Sequence, residues 1–565
     1  MVMFLPARTV VCFPARTVVC FPARTVVCFP RVRSCASRTH GRALSRAERE
    51  NGGTMESRSV GKVTDDEVLR LAREVADRLM ESAGDAAGKA DLADGAPGIA
   101  LALRYAAEVF DDSRYFTAGR LLLRRTAEAS AATPLQAPGL YLGTAGVVWA
   151  VTEYARMEPR YLPTLATMTD RLARQTLAIT LHTAAGSVAS HDYDVIGGAA
   201  GWLAALLKAA DVLGGRATDT VGEAADRLVD YLVELTRDDG GPLRWFCAPS
   251  HFPSIPGPDG EPTPLPGYVK NFPDGVYNLG FAHGPPGILA ALCRPELTEA
   301  AGSTTGRVAG TEDPAARPRR VRQGVRDLAR TLEALRIDGL DYPGWANLLL
   351  PHPDSKRPDT GAAQVPARSA WCYGPPGVAA SLLPASPVCG DPEPTDLAVA
   401  TLLGLDRTPA EQQRVNSPTL CHGLAGLVTV YGRAAAQTGV PELWRMHERF
   451  LARMCSFAGE DHPYLFPDYD PWGQQEHNAG LLNGAAGVLL ALLGAVSEAA
   501  AGWDELLFLT PRPPRGDVPG TDAPRKEAPR KEAPDKEAPR GEAPRRDARQ
   551  GAGAETRPGR GTGET

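Results

Sequence analysis

The chain has 565 residues, 43% hydrophobic and 23% charged, with a formal net charge of −6 and a pI near 6.0. That apolar content excludes a wholly disordered or fibrous protein, and the length allows one large domain or several ordinary ones. The acidic balance argues against nucleic acid as the main partner, and no apolar run approaches the roughly 20 residues of a membrane helix.

Residues 1–54 stand apart from the rest of the chain. They open with an eight-residue repeat, LPARTVVC, FPARTVVC, FPARTVVC, over residues 5–28. Arg interrupts the apolar patches, so the apolar core of about 7–15 residues that a signal peptide needs is missing. The stretch reads as a low-complexity leader, and Met55, preceded by NGGT, reads as the start of the structured protein. The leader holds Cys12, Cys20, Cys28 and Cys35, four of the ten Cys. The remainder are too few for a disulfide framework, and the compartment reads as reducing and cytoplasmic.

Residues 55–510 carry a repeat. Gly-x-x-Gly followed by an apolar run occurs seven times, at 95–98, 143–146, 198–201, 284–287, 374–377, 423–426 and 484–487. One such motif means little; seven opening the same kind of segment mean a repeat architecture. The runs, such as WLAALL and VLLALL, are apolar nearly all round, which predicts buried helices. Between them lie amphipathic charged segments, clearest at 66–82, 220–237 and 442–457. Aromatics are scarce at 6%, which also favours helix over sheet. Buried helices alternating with amphipathic ones predict an all-α fold, an α/α toroid with an inner ring sheathed by an outer ring.

In that arrangement the inner helices all run the same way, and their N-termini share one rim. The residue before each first Gly is then a rim residue: Asp94, Leu142, Gly197, His283, Tyr373, His422 and Asn483. A polar cluster where helix dipoles converge suits anionic chemistry. Cys372 and Cys421 each stand two residues before a repeat glycine in adjacent repeats, and His422 follows Cys421. A free Cys is most often a small buried packing residue. The equivalent placement of these two instead favours a zinc set of two thiolates and an imidazole with a fourth position open. Cys247, Cys293, Cys389 and Cys455 occupy no such position and read as packing residues. His283 is either an acid/base near neutral pH or a satisfied core histidine. Asp194 is a proton acceptor, a residue that orients a base, or a helix cap. Arg368 steadies a carbonyl or enolate, or pairs with a surface carboxylate.

The intervening stretches 296–322 and 351–368, rich in Pro, Gly and charge, predict long loops. Residues 242–275 predict a non-helical lobe between the third and fourth repeats that is placed to contact peptide. Residues 511–565, built from units such as APRKE, predict a disordered charged tail.

From about residue 66 to 508 the chain resembles the lanthionine synthetase C-like (LanC) family. The motifs that carry the resemblance are YDVIGGAAG, NLGFAHG, R-x-x-WCYG, CHG and NGAAG, in that order on the GxxG frame. It implies a toroid of seven inner and seven outer helices with one zinc ion held by Cys372, Cys421 and His422. It also implies that Asp194, His283, Arg368 and Tyr373 are active-site residues. The activity implied is addition of a peptide Cys thiol to dehydroalanine or dehydrobutyrine, closing a (methyl)lanthionine thioether ring. The implied partners are a dehydrated precursor peptide, a separate dehydratase and a transporter-associated complex at the membrane. Two other readings keep the zinc site: an enzyme joining glutathione or another free thiol to dehydroamino acids, and a non-catalytic zinc-stabilised peptide scaffold. A carbohydrate-active or terpenoid toroid would need paired rim carboxylates, where only Asp94 and Asp194 are offered.

Overall fold

The computed structural model describes residues 62–509 apart from 83–88, 133–134, 136, 183–186, 257–261, 299–315, 338–339, 362–366 and 470–473. The leader, Met55 and the charged tail lie outside the described residues. In chain order the main helices are α1 (Asp65–Glu81), α2 (Ala96–Phe110), α3 (Ser113–Ala132), α4 (Thr144–Met157), α5 (Leu162–Ala178), α6 (Ala199–Leu213) and α7 (Asp219–Leu235). They continue with α8 (Pro285–Leu292), α9 (Ala316–Ala334), α10 (Pro375–Leu382), α11 (Glu393–Gly404), α12 (Leu424–Thr438), α13 (Pro441–Cys455) and α14 (Ala485–Val496). Even-numbered helices form the inner ring and odd-numbered helices the outer one. The remaining elements are single turns, short helices and three two-stranded ladders.

The two rings differ as their sequences do. Outer helix α1 buries Val68, Leu71, Ala72, Val75, Ala76 and Leu79, one face of a 3.6-residue period, and points its charges outward. Thr64 caps it, its hydroxyl accepting the Glu67 N–H at 3.2 Å. Inner helix α14 is buried at every residue from Ala485 to Leu493. Each inner helix packs on the next inner helix, and α14 packs back on α2, which closes the ring. The first glycine of each repeat is the N-cap of its inner helix, and Pro285–Pro286 and Pro375–Pro376 fill first turns that offer no donor to lose.

A second ring, made of backbone, holds the seven turns together. The Ala93 N–H donates to the Tyr141 carbonyl, Tyr141 to Ile196, and Val195 to Ala282. Ala282 donates to Cys372, Cys372 to Cys421, Cys421 to Leu482, and Leu482 back to Ala93, all within 2.9–3.3 Å. All seven inner-helix N-termini therefore lie on one rim. The second repeat glycine permits the close approach this requires. A Cβ on Gly146 would lie 2.7 Å from the Leu92 Cβ, and one on Gly201 would lie 2.8 Å from the Leu140 Cβ. The same contact recurs around the circle to Gly98 against Leu481 at 2.9 Å.

Residues 503–509 fill the centre of the inner ring. Trp503, Leu506, Leu507, Phe508 and Leu509 are all buried. The Tyr141 hydroxyl donates to the Leu506 carbonyl at 2.9 Å, and the Trp371 indole donates to that of Leu507 at 3.2 Å. Two buried ion pairs anchor the segment. Asp504 pairs with Arg433 of α12, and Glu505 with Lys208 of α6, whose ammonium also meets Glu153 of α4 at 2.8 Å. Removing either partner of the Arg433–Asp504 pair would strand a buried charge, whereas Lys208 without Glu505 would keep Glu153.

Two stretches differ from the sequence expectation. Residues 316–322, expected in a loop, begin α9, where Val321, Val325, Leu328 and Leu332 form a buried stripe that the Arg-rich composition disguised. The 242–275 lobe is irregular as expected but contains the helix Pro266–Asn271 and the ladder Ser254–Pro256 with Pro262–Pro264. Its own small core is Cys247, Phe252 and Val276.

Candidate metal centre and active-site rim

The backbone ring explains why residues far apart in sequence meet. Cys372 and Cys421 are neighbouring members of it, linked by the Cys372 N–H to Cys421 carbonyl bond at 3.3 Å. His422 follows on the rim. The two thiols and one imidazole nitrogen lie within 4.8 Å of one another, the one such cluster of metal-ligating side chains among the described residues. The donor set suits zinc: two sulfurs and a nitrogen, with room for a fourth ligand. The hydrogen bond from Cys421 holds the Cys372 thiol below its ordinary pKa, and the charges of Arg368 and His283 assist against burial. Burial keeps the His422 imidazole below its ordinary pKa, as a neutral nitrogen ligand requires. The other cysteines go the opposite way: burial pushes Cys247 and Cys455 up to about 12 and raises Cys293 and Cys389.

His283 occupies the rim of the fourth repeat. Its Nδ1 is 2.7 Å from Asp194 Oδ2, and the imidazole is one-fifth exposed. Asp194 is buried, and its Oδ1 accepts the N–H groups of Gly197 at 2.7 Å and Gly198 at 2.9 Å. The carboxylate is thus clamped at the turn into α6, with one oxygen committed to the backbone and the other to His283. Burial alone would push the His283 pKa down. The hydrogen bond and charge of Asp194, with the charge of Cys372, outweigh burial and hold it above the ordinary value. The remaining ring nitrogen is free of this pairing.

Tyr373 stands between the two groups. Its ring centroid is 5.9 Å from that of His283, its hydroxyl accepts the Asn278 amide at 2.9 Å, and burial keeps the phenol protonated. Arg368, half-buried, stands six residues before the repeat glycine, and its charge lowers the pKa of both Cys372 and His422. Its carbonyl is pressed into the turn. Gly374 sits at φ +117°, and a Cβ there would lie 1.6 Å from the Arg368 oxygen. Gly374→Ala is therefore expected to cost at least ~2 kcal/mol and to loosen the Cys372 loop. A lowered thermal midpoint together with reduced metal occupancy is the measurement that checks it.

Rim residues Cys372, Tyr373, Cys421, His422 and His283 come together across the fourth to sixth repeats, with Asp194 reaching in from the third. Asp94 does not join them; it faces Lys89 at 3.6 Å and accepts from Asn478 at 3.2 Å on the opposite arc. Two residues beside the site were missed. Asn278 orients Tyr373, and its only signal was the NLG of the fourth repeat, matched by Asn478 in the seventh. Asp468 is buried, accepts from Ser417 at 2.7 Å, and acts on His422 through its charge. It lies outside the repeat frame and carried no signal.

A family model described as lanthionine synthetase C-like protein matches residues 86–508. No curated protein matches the chain in sequence. Among solved structures, nisin cyclase has a similar fold, with a TM-score of 0.59 at 17% identity, over 78% of this chain and 96% of that one. The family match covers most of the chain, including every repeat and every rim residue described above: the chain belongs to the lanthionine synthetase C-like family.

Proposed function

We propose that this chain is a zinc-dependent lanthipeptide cyclase, adding peptide Cys thiols to dehydroalanine or dehydrobutyrine to form thioether rings. The observation that carries the reading is the pairing on one rim of a Cys372–Cys421–His422 donor set with a clamped His283–Asp194 couple. Cys372, Cys421 and His422 would hold the zinc, which when bound supplies a site where a substrate thiol is ionised at neutral pH.

The chain's own residues account for the rest. Attack of the substrate sulfur on the β-carbon moves the alkene electron pair onto the neighbouring carbonyl, giving an enolate. Arg368 and the Tyr373 hydroxyl supply positive charge and a donor to that oxygen. The α-carbon then needs a proton. Asp194 is fully engaged by two backbone N–H groups and by His283, so it orients while His283 delivers the proton from its outer nitrogen. The proton lost from the thiol is balanced by the one gained at carbon. The substrate is a dehydrated precursor peptide, made by a separate dehydratase in the cytoplasm, and a transporter-associated complex is the natural setting. The described helices include none long and apolar enough to cross a membrane.

The test is metal analysis beside a ring-closure assay. Wild type should hold about one zinc per chain and close rings in a synthetic peptide bearing one dehydroalanine and one Cys. Ring closure leaves the mass unchanged, so it is read as a thiol that no longer accepts an alkylating agent. Full zinc occupancy with no ring closure, and no addition of free glutathione, would leave only a peptide-binding scaffold.

A further inference from the structure

The lobe of residues 242–275 is stitched along one edge to the chain entering the third repeat. The Val188 N–H donates to the Phe246 carbonyl at 2.8 Å, and the Ala248 N–H donates to the Ser187 hydroxyl at 2.8 Å. Three histidines that the reaction does not use stand around this seam. His182 and His191 belong to the third-repeat side and His251 to the lobe. The rings of His182 and His251 meet edge to face across it, with centroids 5.4 Å apart.

Two of the three are held as metal-binding imidazoles are held. A histidine ligand donates one ring N–H to a carboxylate or another oxygen, which fixes the tautomer and leaves the second nitrogen for the ion. His182 Nδ1 lies 2.8 Å from Oδ2 of the buried Asp192. His251 Nδ1 lies 2.7 Å from Ser187 Oγ, an oxygen that has a second lone pair besides the one used by Ala248. Both rings therefore have Nε2 to offer, and neither Nε2 is bonded among the described residues. His191 supplies a third imidazole, its Nε2 3.8 Å from the other oxygen of Asp192. Burial, helped by the charges of His182 and His191 and opposed by Asp192, holds the His251 pKa below its ordinary value. The ring is then neutral and fit to ligate.

An ion about 2.0–2.1 Å from each nitrogen can bridge two imidazoles at this separation. The nitrogens are not drawn together as the donors of the Cys372 centre are, which alone lie within 4.8 Å among the described residues. His182 is half exposed and His191 one-third exposed, so both have room to turn. A set of imidazoles without thiolate suits zinc, cobalt, nickel or copper, and binds more weakly for want of sulfur and of prior assembly.

We propose that His182, His191 and His251, oriented by Asp192 and Ser187, form a second metal site that takes a divalent ion of the zinc class and staples the lobe to the third repeat. The ion would sit beside the turn Ser190–Tyr193, which runs directly into Asp194. Being the weaker site, it empties on dialysis and leaves the chain with the metal of the Cys372 centre. The inference does not rest on the cyclase reading, because neither readout below involves ring closure.

The experiment titrates the full chain, dialysed to its first zinc, with cobalt chloride. Cobalt held by nitrogen and oxygen shows visible bands without the near-ultraviolet charge-transfer band of a thiolate ligand, so the spectrum tells the two centres apart. About one further cobalt per chain is expected, without that band. At a free concentration ten times the Kd, amide exchange from Phe246 to Val276 should slow by about tenfold. In the double variant His182→Gln, His251→Gln this cobalt should bind about 100-fold more weakly or not at all, with an unchanged helical dichroism spectrum. No band-free cobalt below ~1 mM, or band-free cobalt that the double variant keeps with equal affinity, would overturn the site. Cobalt bound at these histidines with no change in amide exchange would overturn the staple and, with it, the proposal as stated.

Discussion

Cys372→Ala should leave a folded chain with no bound zinc and ring closure slowed by about a thousandfold or more. The fold survives because both ring hydrogen bonds at this position are made by backbone, the Cys372 N–H to Cys421 and the Cys372 carbonyl from Ala282. Alanine is already present at the equivalent positions Ala93 and Ala282, so the side chain is no requirement of the ring. The metal does not survive, because two remaining donors cannot make a three-ligand site with an open position. A free thiol at neutral pH is a few per cent thiolate, which by itself costs about thirtyfold. Losing the fixed placement of sulfur against alkene multiplies that loss. Metal content by mass spectrometry, a helical dichroism spectrum and the alkylation assay read the three parts separately. A variant that kept one zinc and wild-type ring closure would contradict the site.

His283→Ala should keep its zinc yet lose about 10²–10⁴ in kcat, the usual worth of a placed general acid. Asp194→Asn tests the division of labour. The asparagine oxygen can still accept the Gly197 and Gly198 N–H groups, but its NH₂ now faces the His283 Nδ1. The imidazole must then accept there and place its proton on the outer nitrogen as a neutral ring, a weaker acid than the imidazolium that Asp194 favours. A loss in kcat comparable to that of His283→Ala is expected, and the double variant should be little worse than either single one. Run in D₂O, wild type should place deuterium on one face of the α-carbon, whereas His283→Ala should give both configurations. Additive losses, or unchanged stereochemistry, would assign the proton to another group.

The toroid and its rim were legible because both follow from a local signal repeated seven times. Glycine pairs, apolar runs and the offsets of Cys372, Cys421 and His283 from those glycines are all properties of short windows. The features missed are those in which a window says nothing about its destination. Residues 503–509 are five residues of 3₁₀ turn and a short extension with no period, and nothing in WDELLFL announces that they occupy the middle of the ring. The first turn of α9 hides its apolar stripe among arginines. Asp468 acts on His422 through its charge from a two-residue strand, Asp468–Tyr469, between the sixth and seventh repeats.

Six seams of the backbone ring join repeats that follow one another in the chain; the seventh joins the last to the first. There, where Leu482 meets Ala93, Asn478 also bonds Asp94 across a sequence separation of 384. That is about three doublings longer than the spacing within a neighbouring pair, an added chain-closure entropy of ~2 kcal/mol, set against a second backbone bond at this seam, from the Leu481 N–H to the Ala93 carbonyl at 2.7 Å. Six seams can zip as each repeat emerges, but the last must wait for both ends of the domain, so non-local closure sets the pace of folding. The first outer helix, α1, packs on both α14 and α2 and so straddles this seam, and parting of the circle here would release α1 while the thiol-bearing arc, on the far side, stays whole.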